Sequence, residues 1–314
     1  MNKLHLLTFC LLALPLTGTA QKNSTYTGPS ISLNENKMTV TSVGKLERTA
    51  KTSFQGMDIC GDWLISLEHS GIATVYQTDG KSLSRKGHLT LGSSHRSNHC
   101  NSANFSNHKV EAGDPLPLLY VSRCNTVKMA DGTDRMVFVE RIDPINMKSE
   151  LVQRVVLQIK PGAWIGNSTW AVDKDNDFLY CLTNTVSNKG KGNRHILQKF
   201  RLPAYTGTQD SLVFITPSDA LEEYYLEDYY NKPFSPIMQG LTVKNGMLFI
   251  PTGVGVPKEP SILYVWDLGK RYMRNEVDLQ DAIPSELEDA ACRQGSLFLQ
   301  TQSMGIQRVD FLEK

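Results

Sequence analysis

Short apolar runs that alternate with polar residues pair across turns into hairpins that recur along this chain. The clearest is residues 237–253, where Leu241 and Val243 alternate in one strand and residues 247–250 form a fuller apolar strand. Between them stands Asn245-Gly246, the dipeptide that best tolerates the two positive φ angles of a type I′ turn. Aligned on its second strand, the hairpin recurs at residues 55–66, which also open on Gln-Gly, and at residues 288–299. Two looser copies pair residues 101–105 with 118–122 and residues 169–173 with 178–182. Self-similarity at this spacing is the signature of a repeat architecture.

Two further strand-like runs follow each of the first four hairpins. They are residues 72–77 and 86–91, then 136–142 and 151–159, then 196–202 and 211–215, then 262–268 and 275–279. Four strands in meander order make a propeller blade. The fifth hairpin is followed only by residues 305–311, so its outer strand is expected from residues 37–46, where Met38, Val40 and Val43 alternate. The reading is an all-β, five-bladed β-propeller over residues 37–314, with six blades as the alternative. An N-terminal strand completes the last blade and removes an exposed sheet edge.

Residues 1–20 join a Lys-containing start to an apolar run over residues 6–16 and a small-residue end, the pattern of a secretory signal peptide cleaved near Ala20. Export to the periplasm or the extracellular space is therefore expected, with residues 21–36 as a flexible segment. The leader's apolar run is too short for a membrane span. A net charge of +1 gives no basic footprint for nucleic acid. Cys100 and Cys124 fall at one edge of the second blade, where export permits a disulfide, and free thiols are the alternative.

In a propeller the inner strands start, and the second strands end, on the same face. The starts are Gln55, Asn101, Thr169 or Trp170, Gln239 and Glu288; the ends bring Glu68 and His69, Arg123, Asn184, Thr252 and Gln300 or Gln302. A ring of convergent polar groups at a channel mouth is the default binding site. The candidate ligand-binding residues are Gln55, His69, His99, Asn101, Arg123, Trp170, Asn184, Gln239 and Glu288. The alternative is that these groups only tie neighbouring blades together.

Two loops are expected to overhang this face. One is residues 221–234, read as a short helix carrying Tyr224, Tyr225, Tyr229 and Tyr230; the other, residues 161–170, carries Trp164 and Trp170. Such rings suit the C–H faces of sugars. The loop over residues 92–104 holds His95 and His99, but its Gly, Ser and Asn content argues against helical metal-ligand spacing. Residues 173–177 are read as an acidic turn on the opposite face, and residues 189–194 as a basic turn.

The Gln-Gly hairpins, the Asn-His-Cys-Asn core of residues 98–101 and Phe200-Arg-Leu-Pro203 together resemble a group of exported bacterial propeller proteins, loosely similar to propellers of the NHL and SMP-30 type. Lactonases of the latter type hold a divalent metal with a Glu, Asn and Asp set, and the resemblance implies Glu288, Asn101 and Asn184 as part of one. No Asp falls at a matching start position, so no metal or cofactor is expected. The expected function is binding of a small molecule or oligosaccharide, foremost a cell-envelope glycan. The alternatives are a lactonase or glycoside hydrolase, for which Glu288 and Glu68 are the available acids, and a scaffold for an envelope protein.

Overall fold

A computed structural model describes residues 38–125, 127–159, 166–184, 194–228 and 232–311. The predicted leader, the segment over residues 21–36, Trp164, Tyr229, Tyr230 and most of the basic turn lie outside them. The strands group into five sheets. Blade 1 is β2 (Phe54–Cys60), β3 (Trp63–Glu68), β4 (Ile72–Thr78) and β5 (Leu83–Thr90). Blade 2 is β6 (Ala103–Phe105), β7 (Leu119–Arg123), β8 (Met136–Asp143) and β9 (Lys148–Leu157), with β13 (Ser211–Ile215) added outside. Blade 3 is β10 (Ser168–Asp173), β11 (Phe178–Asn184), β12 (His195–Arg201) and β14 (Glu222–Tyr225). Blade 4 is β15 (Thr242–Lys244), β16 (Met247–Thr252), β17 (Ile262–Asp267) and β18 (Tyr272–Asp278). Blade 5 is β19 (Leu287–Arg293), β20 (Ser296–Thr301), β21 (Gly305–Phe311) and, from the other end of the chain, β1 (Met38–Gly44).

Ring closure is visible in how the apolar side chains divide. They form five clusters, and each lies between two neighbouring blades, with one uniting Val43, Ala291, Phe298 and Ile306 of blade 5 with Met57, Ile59, Leu64 and Tyr76 of blade 1. Each sheet is therefore covered on both faces by its neighbours, which a sandwich does not do. The protein is a five-bladed β-propeller. Its latch is antiparallel, with Val40 opposite Val309, as the alternation of residues 37–46 predicts. Among the described residues no helix is long and apolar enough to cross a membrane.

Turn chemistry explains the recurrent hairpins. Asn245 and Gly246 have φ of 55° and 71°, and Gln294 and Gly295 of blade 5 repeat the pair at 49° and 82°. The glycines of the two Gln-Gly pairs serve a different need, the close approach of blades at the axis. A Cβ on Gly56 would stand 2.8–2.9 Å from the backbone of Cys100, Ser102 and Ala103, and one on Gly240 would stand 2.0 Å from Asp289 Oδ1. Gly56→Ala is therefore expected to cost about 1–3 kcal/mol by overpacking, read as a lower urea midpoint with an unchanged m-value. A midpoint equal to wild type would mean the axis has slack.

Two expectations need correction. Ser211–Ile215 is a strand, but it runs parallel to β9 of blade 2, with Val213 opposite Val155, instead of closing blade 3. Arg154 fastens its start through Asp210 at 2.7 Å. Blade 3 is closed by Glu222–Tyr225, within the segment read as a helix. Its register sets Lys199 opposite Glu222 and Gln198 opposite Glu223, and both pairs bond across the strands, at 3.0 and 2.6 Å. Those cross-strand bonds outweigh the helical reading of Leu-Glu-Glu-Tyr-Tyr. The acidic turn behaves as read: the Asp173 carboxylate accepts from the backbone N–H of Asp175 and the amide of Asn176.

Candidate functional site

Inner-strand starts and second-strand ends enclose an axial cavity of about 530 Å³. Blade 1 contributes Ser53 and Gln55, and blade 2 contributes His99, Asn101, Cys124 and Asn125. Asn167 comes from blade 3, the approach to blade 4 supplies Ile237, Met238 and Gln239, and blade 5 supplies Glu286, Glu288 and Gln302. Gln55 and Glu288 occupy equivalent irregularities. The β2–β3 register shifts between Phe54 and Met57, and the β19–β20 register shifts between Leu287 and Asp289. A bulge inserts one residue and re-aims its side chain. Here the bulges bring Gln55 and Glu288 into contact, with the Gln55 amide 3.3 Å from Glu288 Oε2.

Glu288 is 2% exposed. The Gln302 amide contacts its other oxygen, and Arg48 in turn bonds Gln302. Burial, together with the nearby charge of Glu286, pushes the Glu288 carboxyl up to about 8, so it holds its proton at neutral pH. In the orientation above, Gln55 Oε1 has no partner although Gln55 is 4% exposed. The two ends of an amide exchange on a flip. A flip would turn that oxygen to the Glu288 acid proton but put the NH2 in the partnerless position, so in either orientation one end of the Gln55 amide has no protein partner. Glu286 is half-buried and takes a 2.7 Å bond from the Gln239 amide; burial raises its pKa also, and the amide opposes that rise.

Of the nine candidate residues, Gln55, His99, Asn101, Gln239 and Glu288 line the cavity. Asn101 is also a fastener, since its amide donates to Thr169 Oγ at 2.9 Å and to the Gln239 carbonyl at 2.6 Å. His99 has a φ of 50° and sits edge-on to His69, their Nδ1 atoms 3.2 Å apart. Burial and that neighbour lower the His99 pKa to about 4. His69 thus stands behind the cavity wall. The remaining three lie away from the cavity. Arg123 is buried against the carbonyls of Asn125, Val127 and Asp134. Trp170 packs in the core between blades 2 and 3 and donates to Ser168 Oγ. Asn184 packs against Gly166.

Glu68 does not pair with Glu288. Its carboxylate accepts from the backbone N–H groups of Thr49, Ala50 and Thr52 and from the Thr52 hydroxyl, at 2.6–3.1 Å, and so shapes the connection from β1 to β2. The second acid of the cavity is Glu286, two residues before Glu288 and within reach of strand alternation. Two of the four tyrosines of the expected overhang lie elsewhere. Tyr224 stacks on Trp266 at 6.2 Å and Tyr225 lies under the Arg194 guanidinium, both at the outer edge of blade 3. Cys124 N–H bonds the His99 carbonyl, which keeps Cys100 and Cys124 at one edge as expected, yet their thiols are free.

The residues do not fit the metal set implied by SMP-30-type lactonases. Asn184 is turned away to Gly166, and both Glu288 oxygens face amides. Among the described residues no three metal-ligating side chains cluster.

No protein-family model matches the chain, and no curated protein matches it. Among solved structures, the glutaminyl cyclase of Myxococcus xanthus is 12% identical, with a TM-score of 0.49 over 87% of this chain and 97% of that one. A protein of unknown function from Bacteroides thetaiotaomicron is also 12% identical, with a TM-score of 0.46 over 87% of this chain and 76% of that one. Overlap at these levels carries nothing about the chemistry of the cavity.

Proposed function

We infer that this propeller is a ligand-binding protein whose axial cavity takes a neutral, hydroxyl-rich molecule, foremost a sugar unit of a cell-envelope glycan met after export. The observation that carries this reading is the chemistry of the lining. Among the described residues, six amides, from Gln55, Asn101, Asn125, Asn167, Gln239 and Gln302, stand with two carboxyl groups and no lysine or arginine. Amides both donate and accept, as do hydroxyls. An anionic ligand would meet Glu286 with no cation among the described lining residues to balance its charge. Ile237 and Met238 add apolar surface for sugar C–H faces.

Calorimetric titration of the chain with mono- and oligosaccharides tests the reading. A sugar is expected to bind, and Gln239→Ala to weaken it about tenfold or more, since an unmade hydrogen bond to a buried partner costs about 1–3 kcal/mol. Binding that survives Gln239→Ala unchanged would place the sugar elsewhere. No sugar binding, with a protein partner captured on this face, would favour the scaffold reading.

A further inference from the structure

The two acids of the cavity have unequal settings. Glu288 sits at a bulge, almost wholly enclosed, with the Gln55 and Gln302 amides at its two oxygens. Glu286 is half-buried in the same cavity and has a single amide, from Gln239, on its carboxylate. An almost wholly enclosed carboxyl and a half-buried one in the same cavity can divide the roles of acid and base.

We propose that the cavity is catalytic, with Glu288 as general acid and Glu286 as general base in the hydrolysis of a glycosidic bond, a proposal that rests on the sugar-binding reading. Glu288 gives its carboxyl proton to the glycosidic oxygen as the bond from that oxygen to the anomeric carbon breaks, and the electron pair leaves with the oxygen. A water forms the new bond to the anomeric carbon and passes a proton to the Glu286 carboxylate. One water is consumed and two sugar hydroxyls result. The proton on Glu286 then returns to Glu288 through solvent, and no oxidant or further reactant is needed. The cavity volume accommodates a sugar ring and the water together.

Three features support this division of roles. Charge on Glu286 is among the causes that keep the proton on Glu288. The bulge aims the Glu288 carboxyl into the cavity, while its neighbour Asp289 is committed to the backbone of blades 1 and 2. The Gln302 amide donates to Glu288 Oε1, which leaves the acid proton to Oε2.

The test uses the chain with oligosaccharides of differing linkage, measuring binding by calorimetry and cleavage by the release of reducing ends. A bound oligosaccharide is expected to be cleaved. Glu288→Gln is expected still to bind it and to cleave it about 10²–10⁴-fold more slowly, the usual contribution of a general acid or base. On the dinitrophenyl glycoside of the same sugar, whose leaving group needs no proton, that variant should lose less than about tenfold, whereas Glu286→Gln should be slow on both. The alkaline limb of kcat/KM, expected near pH 8 in the wild type, should vanish in Glu288→Gln. Sugar binding without new reducing ends, or an equal loss on both leaving groups in Glu288→Gln, overturns the acid assignment and leaves the binding reading standing. Absence of sugar binding overturns both.

Discussion

Asp289→Ala is expected to lower stability by about 2–6 kcal/mol, from two buried N–H groups left without partners at about 1–3 kcal/mol each. Asp289 is fully buried, and one oxygen, Oδ2, accepts from Met57 N–H at 2.8 Å in blade 1 and from Ala103 N–H at 3.0 Å in blade 2. A single side chain of blade 5 thus satisfies inner-strand donors of two other blades. The informative contrast is Asp289→Asn. Asparagine keeps an acceptor oxygen and carries no charge, while burial already pushes the Asp289 carboxyl well above the ordinary range. We therefore expect the asparagine variant to stay within about 1 kcal/mol of wild type at pH 7. Urea unfolding of the three proteins separates the cases. Equal losses in both variants would mean that the carboxylate charge, and not the shared acceptor, holds the axis.

Glu288→Gln is expected to become more stable than wild type as pH rises. The folded pKa of Glu288 is raised to about 8, above the unfolded value of about 4.3. Its stabilising contribution is complete below about pH 4.3 and is lost as pH rises through 8. The difference between variant and wild type should thus be near zero at pH 4, grow by up to about 1.4 kcal/mol per pH unit, and level off above pH 8. Histidines act with the opposite sign on the acid side. Burial lowers His99 and His195 to about 4, so each contributes stability above about pH 6.5 that is lost as pH falls toward 4. That loss is common to both proteins and cancels in the comparison. Midpoints measured from pH 4 to 9 decide it, and a pH-independent difference would show that Glu288 does not titrate as its surroundings imply.

The hairpins were legible because their causes are local. Asn245-Gly246 sets its own turn, and apolar alternation sets which side of each strand packs. The closing strand could be read because residues 37–46 alternate and the fifth blade lacked an outer member. The choice of face also followed from topology alone, since a meander returns its second strand to the mouth where the first began. Legibility failed where the deciding partner is distant in sequence. Ser211–Ile215 looks like a strand but does not announce that Arg154 anchors it to blade 2, and Glu222–Tyr225 becomes a strand only through Lys199 and Gln198. Within the site, the uses of Glu68 and Arg123 depend on backbone groups that no spacing reveals, and the bulge at Glu288 exists only in its pairing with β20.

The latch between β1 and β21 also sets an order on synthesis. Val40 must wait for Val309, about 270 residues later, and at about 5–20 residues per second that delay is roughly 15–55 seconds. Throughout it β1 has no native neighbour, and Met38 and Val40 are open to any passing edge. Blades 1 to 4 can form meanwhile from hairpins close in sequence, so the circle completes last, at the seam between β1 and β21. A chain stalled before residue 305 would leave β1 permanently unpaired, and that strand would mark the nascent protein as unfinished.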